Sequence, residues 1–318
     1  MQVIRDLDDP LLKTPSILTF GVYDGLHLGH QLIMRRVAER AKATRLPATV
    51  LTFEPHPRAV LNPETAPPLL QTFEQKASTM NETGIDQLVV LPFTRELSMV
   101  KAEAFLMDIV FGALNAHEVY LGQGFAFGHN REGKFELLKQ VARRLYRFAE
   151  EVPEVMLRGH RVSSTLVRRL VSAGRMNLAR RMLGRPYEIE GCVMEGRRIG
   201  KAKLNYATAN MRPLGSVIPA TGVYITVTHF DGGRRPSISN IGHRPTFGGD
   251  PEVTLETHIF DFDGDLYDKR ISVAFLHRLR GEQKFGSIDD LRLQIDRDTE
   301  RAFKFFQKAP VRRHCDYV

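Results

Sequence analysis

Cysteine is nearly absent: the 318 residues hold two, Cys192 and Cys315, far apart and without a CxxC spacing. That excludes a disulfide framework, and a reducing cytoplasm suits such a chain. No apolar run approaches the length of a membrane span, so no membrane partner is expected. The first ten residues, MQVIRDLDDP, carry acids and lack an apolar core segment, which is not the pattern of a secretory signal. Internal repeats and low-complexity tracts are missing too. What remains is the composition of a soluble globular protein, 42% hydrophobic and long enough for about two domains with proper cores.

Acidic residues are outnumbered, leaving a formal net charge of +8 and a pI near 9.6. The excess concentrates between Lys139 and Lys203, with Arg143, Arg144, Arg168, Arg169, Arg180 and Arg181 among it. A nucleic-acid-binding protein has such a balance. Yet the segment lacks zinc-finger spacing, an aromatic RNA-binding signature and an uninterrupted basic arm, so no nucleic-acid partner is expected. An enzyme gathering phosphorylated substrates profits from the same surface, and a solvated helix face needs no ligand at all.

Hydrophobic periodicity changes along the chain. Strands are expected near Ile17 to Phe20, Thr49 to Phe53, Gln87 to Leu91 and Glu118 to Leu121, alternating with helices. That order implies a mostly parallel, doubly wound α/β sheet over residues 1–184, interrupted by a Pro-rich connector, Asn62 to Pro68. Residues 185–318 instead hold short β-rich runs, GVYITVTHF, RPSISNI, VTLETHIFDF and RISVAFL, separated by Gly, Asp and Pro turns. These predict an antiparallel barrel or a sandwich. A terminal amphipathic helix, Ile288 to Phe306, is expected to turn Leu291, Ile295 and Phe303 to the core and its Arg and Asp residues to water.

The most informative segment is GVYDGLHLGH, Gly21 to His30, where an apolar strand meets a helix carrying Leu32, Ile33, Val37 and Ala41. Gly21, Gly25 and Gly29 let backbone approach a ligand, and the following helix offers unpaired N–H groups to an anion. His27 and His30 can then donate to phosphate oxygens as charge builds on them. A capped turn with two surface histidines fits the same residues. A metal site built on HxxH lacks an acid or cysteine at ligand spacing.

With VSSTLVR, Val162 to Arg168, this segment resembles the HxGH and ISSTxxR signatures of the nucleotidyltransferase superfamily. Over nearly its whole length the chain resembles the bacterial bifunctional riboflavin kinase/FAD synthetase (FMN adenylyltransferase) family. In the first half the resemblance rests also on TFEPHP (Thr52 to Pro57), FAFGHNREG (Phe125 to Gly133) and LGRPY (Leu183 to Tyr187). In the second it rests on TAN (Thr208 to Asn210), NIGHRPTFGG (Asn240 to Gly249), LETHIFDFDGDLY (Leu255 to Tyr267) and FLHRLRGEQKF (Phe275 to Phe285).

The resemblance implies a Rossmann-like nucleotidyltransferase domain, 1–184, that adenylylates FMN to FAD with release of pyrophosphate. It implies an antiparallel six-stranded β-barrel domain with a terminal helix, 185–318, that phosphorylates riboflavin with ATP. On this basis Gly21, Asp24, Gly29, Arg161, Ser163, Ser164, Thr165 and Arg168 are expected around the triphosphate with His27 and His30. Arg suits that role because its planar fork pairs phosphate oxygens. Thr208 and Asn210 are the implied ATP and Mg²⁺ ligands, whose hard oxygens suit that ion. Glu256 is the implied general base, alternating with Leu255 and Thr257 on its strand. Phe125, Phe127, Asn240 and Arg244 are flavin-binding candidates, although aromatics near a strand end also simply pack.

Three positions depart from the family pattern. Gly124 stands in GQGF where the family has an acid or amide. LNYATAN, Leu204 to Asn210, replaces LGFPTAN, and His243 replaces a Thr. Two further functions therefore stay open: a riboflavin kinase whose first half lost activity through Gly124, and a non-catalytic flavin- or RNA-binding protein on the same scaffold.

Overall fold

The all-buried pattern of Ser16–Phe20 is what a strand covered by helices on both faces requires, and it forms the middle of the first sheet. The computed structural model describes residues 1–194, 208–231, 233–244 and 252–308, with Arg244 and Glu252 described in their backbone only. Contacts divide these residues into two units, Met1–Pro68 with Phe73–Ser163, and Leu69–Thr72 with the described residues from Ser164 onward.

The first unit runs β1 (Gln2–Ile4), β2 (Ser16–Phe20), α1 (Leu28–Thr44), β3 (Ala48–Glu54), α2 (Pro57–Leu61), α3 (Phe73–Glu82) and β4 (Gln87–Pro92). It continues through α4 (Arg95–Ser98), α5 (Ala102–Ala104), a wider-wound helical stretch Phe105–Ala113, β5 (Ala116–Gly122), α6 (Phe135–Arg144) and β6 (Phe148–Val152). A two-stranded hairpin, β7 (Met156–Leu157) with β8 (His160–Arg161), closes it. The six-stranded sheet has the order β1-β4-β3-β2-β5-β6, every pair parallel.

Alternate residues of β2 feed two cores. Leu18 and Phe20 join Leu51, Leu106 and Val119 on one face, whereas Ile17 joins Met34, Val50 and Met80 on the other. Burial of each such side chain contributes about 1.5–3 kcal/mol, so the sheet is held from both sides. From β2 the chain moves to β3 and β4 on one flank and returns to β5 on the other. At such a switch point the loops beyond the carboxyl ends of the two strands diverge and leave a crevice. The segment Gly21–His27 leaves β2 there, and Gln123–Phe127 leaves β5.

The second unit begins with α7 (Ser164–Ser172) and α8 (Met176–Leu183). It continues with β9 (Tyr187–Met194), β10 (Ala209–Pro213), β11 (Gly222–Phe230), β12 (Gly233–Arg244), β13 (Glu252–Ile259), β14 (Arg270–Arg280) and α9 (Ile288–Lys308). Its six strands close a barrel in the order β10-β13-β12-β11-β14-β9, each described pair antiparallel. The barrel, rather than a sandwich, is therefore the architecture. Leu255, Thr257 and Ile259 are buried while Glu256 and His258 are half-buried on the opposite face, the predicted alternation. Helices α7 and α8 group with the barrel: Asn177 meets the His277 ring at 3.1 Å, and the last residues of α8, Met182 and Leu183, are buried.

The terminal helix differs from expectation on its inner face. Phe303 is 44% exposed, although it stacks on Phe260 at 4.6 Å between centroids. Asp298 instead is buried, accepting from Arg280 Nε at 2.7 Å and from Gln294 Nε2 at 3.0 Å. An acid belongs on the inner stripe here because a strand arginine neutralises it, which periodicity alone does not reveal.

Candidate active sites

The turn after β2 is fixed almost residue by residue. Gly21 N–H continues the sheet by donating to the Leu51 carbonyl at 3.0 Å. Tyr23, Gly25 and Leu26 then take left-handed backbone, φ 50°, 82° and 39°. Glycine does so freely, whereas the other two need holding. Tyr23 is held by a 2.5 Å hydrogen bond between its hydroxyl and Thr19, and burial keeps that hydroxyl protonated by pushing its pKa up. Leu26 is fully buried, and its carbonyl accepts from Gln31 Nε2 at 2.7 Å. The Val22 carbonyl accepts from Thr52 Oγ1 at 3.2 Å and from Lys76 Nζ at 3.4 Å.

His27 caps α1. Its Nδ1 accepts from the His30 N–H at 3.4 Å, which puts the proton of a neutral ring on Nε2. The two imidazoles stack with centroids 3.7 Å apart, and His30 meets the Tyr23 ring edge-on at 5.1 Å. A Cβ on Gly29 would stand 3.2 Å from the His27 ring, so glycine leaves the imidazole its place. Asp24 is buried at the same turn. The histidine pair, a helix N-terminus and a glycine are thus brought together, an arrangement able to hold an anion.

The β5 side adds the neighbouring residues. Gly124 has φ 72° and donates its N–H to Glu151 Oε1 at 3.3 Å. A Cβ there would lie 3.9 Å from Glu154 Oε1 and 4.0 Å from Arg161 Nη2, two groups that form a 3.0 Å ion pair. The departing glycine therefore sits beside a predicted phosphate-binding arginine. Phe127 is buried against Phe20 at 5.3 Å, whereas Phe125 is half-buried at 5.7 Å from the same ring. Val162, next to Ser163, has its carbonyl 4.0 Å from where a Gly29 Cβ would stand. Ser164, Thr165 and Arg168 open α7 and fall in the second unit, Thr165 exposed and the other two half-buried. His56 caps α2 through its Nδ1, which accepts from the Arg58 N–H at 3.1 Å.

In the barrel the register does the assembling. Asn210 pairs with Glu256 between β10 and β13, and Glu256 with Asn240 between β13 and β12. Directly opposed residues share a face with Cβ atoms about 4.5–5.5 Å apart, so three predicted residues form one polar row. Thr208 stands two residues before Asn210 and is half-buried. His243 is exposed, and the side chain of Arg244 lies outside the described residues, as do Leu204 to Ala207. Sequence reasoning missed Lys76, Thr52 and Glu154, which touch or flank the first site from elements remote in sequence.

Comparison with known proteins shows which family the chain belongs to. The FAD synthetase family profile matches residues 10–166, and the riboflavin kinase profile matches residues 183–306. A protein of Pseudomonas fluorescens named bifunctional riboflavin kinase/FMN adenylyltransferase is 39% identical over 303 residues, 95% of this chain and 97% of its own. The protein of the same name from Haemophilus influenzae is 34% identical over 96% of this chain and 99% of its own. The chain belongs to the bifunctional riboflavin kinase/FMN adenylyltransferase family. Members share a kinase and a nucleotidyltransferase half, so this chain is a transferase with both. A solved Streptococcus pneumoniae structure titled as a macrolide-efflux protein is 28% identical, covering 95% of this chain and 98% of its own at a TM-score of 0.85. Its title speaks for that chain; here, among the described residues, no helix is long and apolar enough to cross a membrane.

Proposed function

We propose that this chain phosphorylates riboflavin to FMN in its barrel half and adenylylates FMN to FAD in its parallel-sheet half, with functional borders at residues 1–184 and 185–318. The observation that carries the reading is the separation of the two constellations. The Gly21–His30 cradle lies in one unit, and the Asn210–Glu256–Asn240 row lies in the other.

For FAD synthesis, an FMN phosphate oxygen attacks the α-phosphorus of ATP and pyrophosphate leaves. The substrate is already a nucleophile, so the protein supplies position and charge stabilisation. His27 and His30 donate to the triphosphate, joined by the helix N-terminus at Gly29 and by Gly21, Arg161 and Ser163; for Ser164, Thr165 and Arg168 the assignment rests on the family resemblance alone. Asp24 shapes the turn, and Phe125, less buried than Phe127, is the better placed of the two to meet a flavin.

For riboflavin phosphorylation, Glu256 takes the proton of the ribityl 5′-hydroxyl as its oxygen attacks the γ-phosphorus of ATP, and ADP leaves. Among the described residues no cluster of His, Cys, Asp or Glu could hold a metal ion alone. The oxygens of Thr208 and Asn210 beside the Glu256 row suit Mg²⁺ shared with ATP phosphates, and the ion would neutralise their charge. Asn240, in the same row as Glu256, and Arg244 are the flavin-binding candidates of this half. The low cysteine content suits a cytoplasmic enzyme whose substrates are ATP, riboflavin and FMN.

Glu256→Gln tests the assignment. With riboflavin as substrate, the variant is expected to lose FMN formation by roughly 10²–10⁴-fold, the range for a general base. Supplied with FMN, it should make FAD at the wild-type rate. Loss of both steps in a folded variant would refute separate sites.

A further inference from the structure

One cation meets the turn after β2 from a different element of the same unit. Lys76, the fourth residue of α3, donates from Nζ to the Val22 carbonyl at 3.4 Å, and Thr52 Oγ1 donates to the same oxygen at 3.2 Å. Lys76 is half-buried, and the partial loss of water lowers the pKa of its ammonium, while the charges of Asp24 and Glu54 act in the opposite direction. Glu54 also pairs with Arg5 at 3.2 Å, so Lys76 does not serve to neutralise that acid alone. Desolvating an ammonium costs stability. Here that cost falls beside a turn with left-handed backbone at Tyr23, Gly25 and Leu26, where the path of the chain must be enforced. The tethered carbonyl lies two residues before Asp24 and five before His27, so moving it moves the cap of α1.

We propose that Lys76 is a positioning residue for adenylyl transfer: it tethers the Val22 carbonyl and so sets the turn that presents His27 and His30, without itself touching the nucleotide. The proposal rests on the reading that those histidines hold the ATP phosphates. A displacement of about 1 Å at a reacting centre costs on the order of 10²-fold, so the effect belongs in kcat more than in the KM for ATP.

The test uses the full chain with FMN, ATP and Mg²⁺, and follows riboflavin phosphorylation in the same preparations as an internal control. Lys76→Met is expected to lower kcat for FAD formation by roughly 10–100-fold, to leave the KM for ATP within about threefold, and to leave FMN formation unchanged. Lys76→Arg should recover most of the lost kcat. Wild-type kcat in Lys76→Met, or Lys76→Arg as slow as Lys76→Met, would overturn the proposal. Should Lys76→Met fail to fold by near-ultraviolet circular dichroism, Thr52→Val removes the other donor to the same carbonyl. A severalfold fall in kcat supports the tether, and unchanged kcat overturns it. His27→Ala separates the two claims: full FAD synthesis in that variant defeats the phosphate reading itself, whereas a dead His27→Ala beside a fully active Lys76→Met defeats only the role of Lys76.

Discussion

The two candidate sites are built from different materials. In the parallel-sheet unit the cradle is a continuous segment, a turn and a helix N-terminus at the end of β2, and backbone does much of the work. In the barrel the candidate residues are side chains on three strands, far apart in the chain and aligned only by register. A continuous cradle tolerates change elsewhere in its domain as long as the turn keeps its path. A row assembled by register depends on the strands that align it.

Removing the barrel's buried ion pair should sharpen this difference most. Arg280 and Asp298 have side chains 14% and 2% exposed and meet at 2.7 Å. Arg280→Met leaves a buried carboxylate unpaired, which typically costs about 3–5 kcal/mol. Urea unfolding should then show the barrel melting early and FMN formation lost with it, while FAD formation from added FMN persists. Coincident loss of both would break the comparison.

His27→Ala is the reverse experiment. Loss of one preorganised donor to developing charge costs roughly 10²–10³-fold, so FAD formation from FMN should fall by that factor while riboflavin phosphorylation stays within twofold, both read by flavin chromatography.

Gly124→Asn is a smaller change with a definite sign. The position is left-handed at φ 72°, which Asn tolerates, and a Cβ there meets only ordinary contacts beside Glu154 and Arg161. The variant should fold with a stability change within about 1 kcal/mol and make FAD severalfold faster than wild type. A slower variant would show that the amide is not missing from the site.

The smallest effect concerns acid. Burial pushes the Glu118 pKa up, but hydrogen bonds from Arg40 and Tyr120 outweigh it and leave the carboxyl below its ordinary range. A carboxylate lowered on folding adds stability above its unfolded pKa, and that contribution is lost as pH falls through the folded value. Urea midpoints should therefore fall more steeply toward acid in wild type than in Glu118→Gln, and equal slopes would remove this pair from the account.

What was legible in sequence follows the same contrast. The Gly21–His30 cradle and its flanking strand and helix could be read because every part is contiguous, and period-two alternation placed Glu256 opposite Leu255 and Thr257. The edge strands β1 and β6 escaped notice, since one is three residues long and the other, FAEEV, carries two acids amid its apolar residues. A lone acid on an amphipathic helix usually faces water, and only the fold brings Arg280 to meet Asp298. Lys76 gave no local signal either: its importance lies in a carbonyl more than fifty residues earlier. The alignment of Asn210, Glu256 and Asn240 is likewise a property of pairing, not of spacing.

The most direct test is product analysis of the purified full chain incubated with riboflavin, ATP and Mg²⁺, with flavins resolved by chromatography over time. FMN should appear first and FAD should follow at its expense. FMN without FAD would contradict the adenylyltransferase half, and the appearance of neither would contradict both.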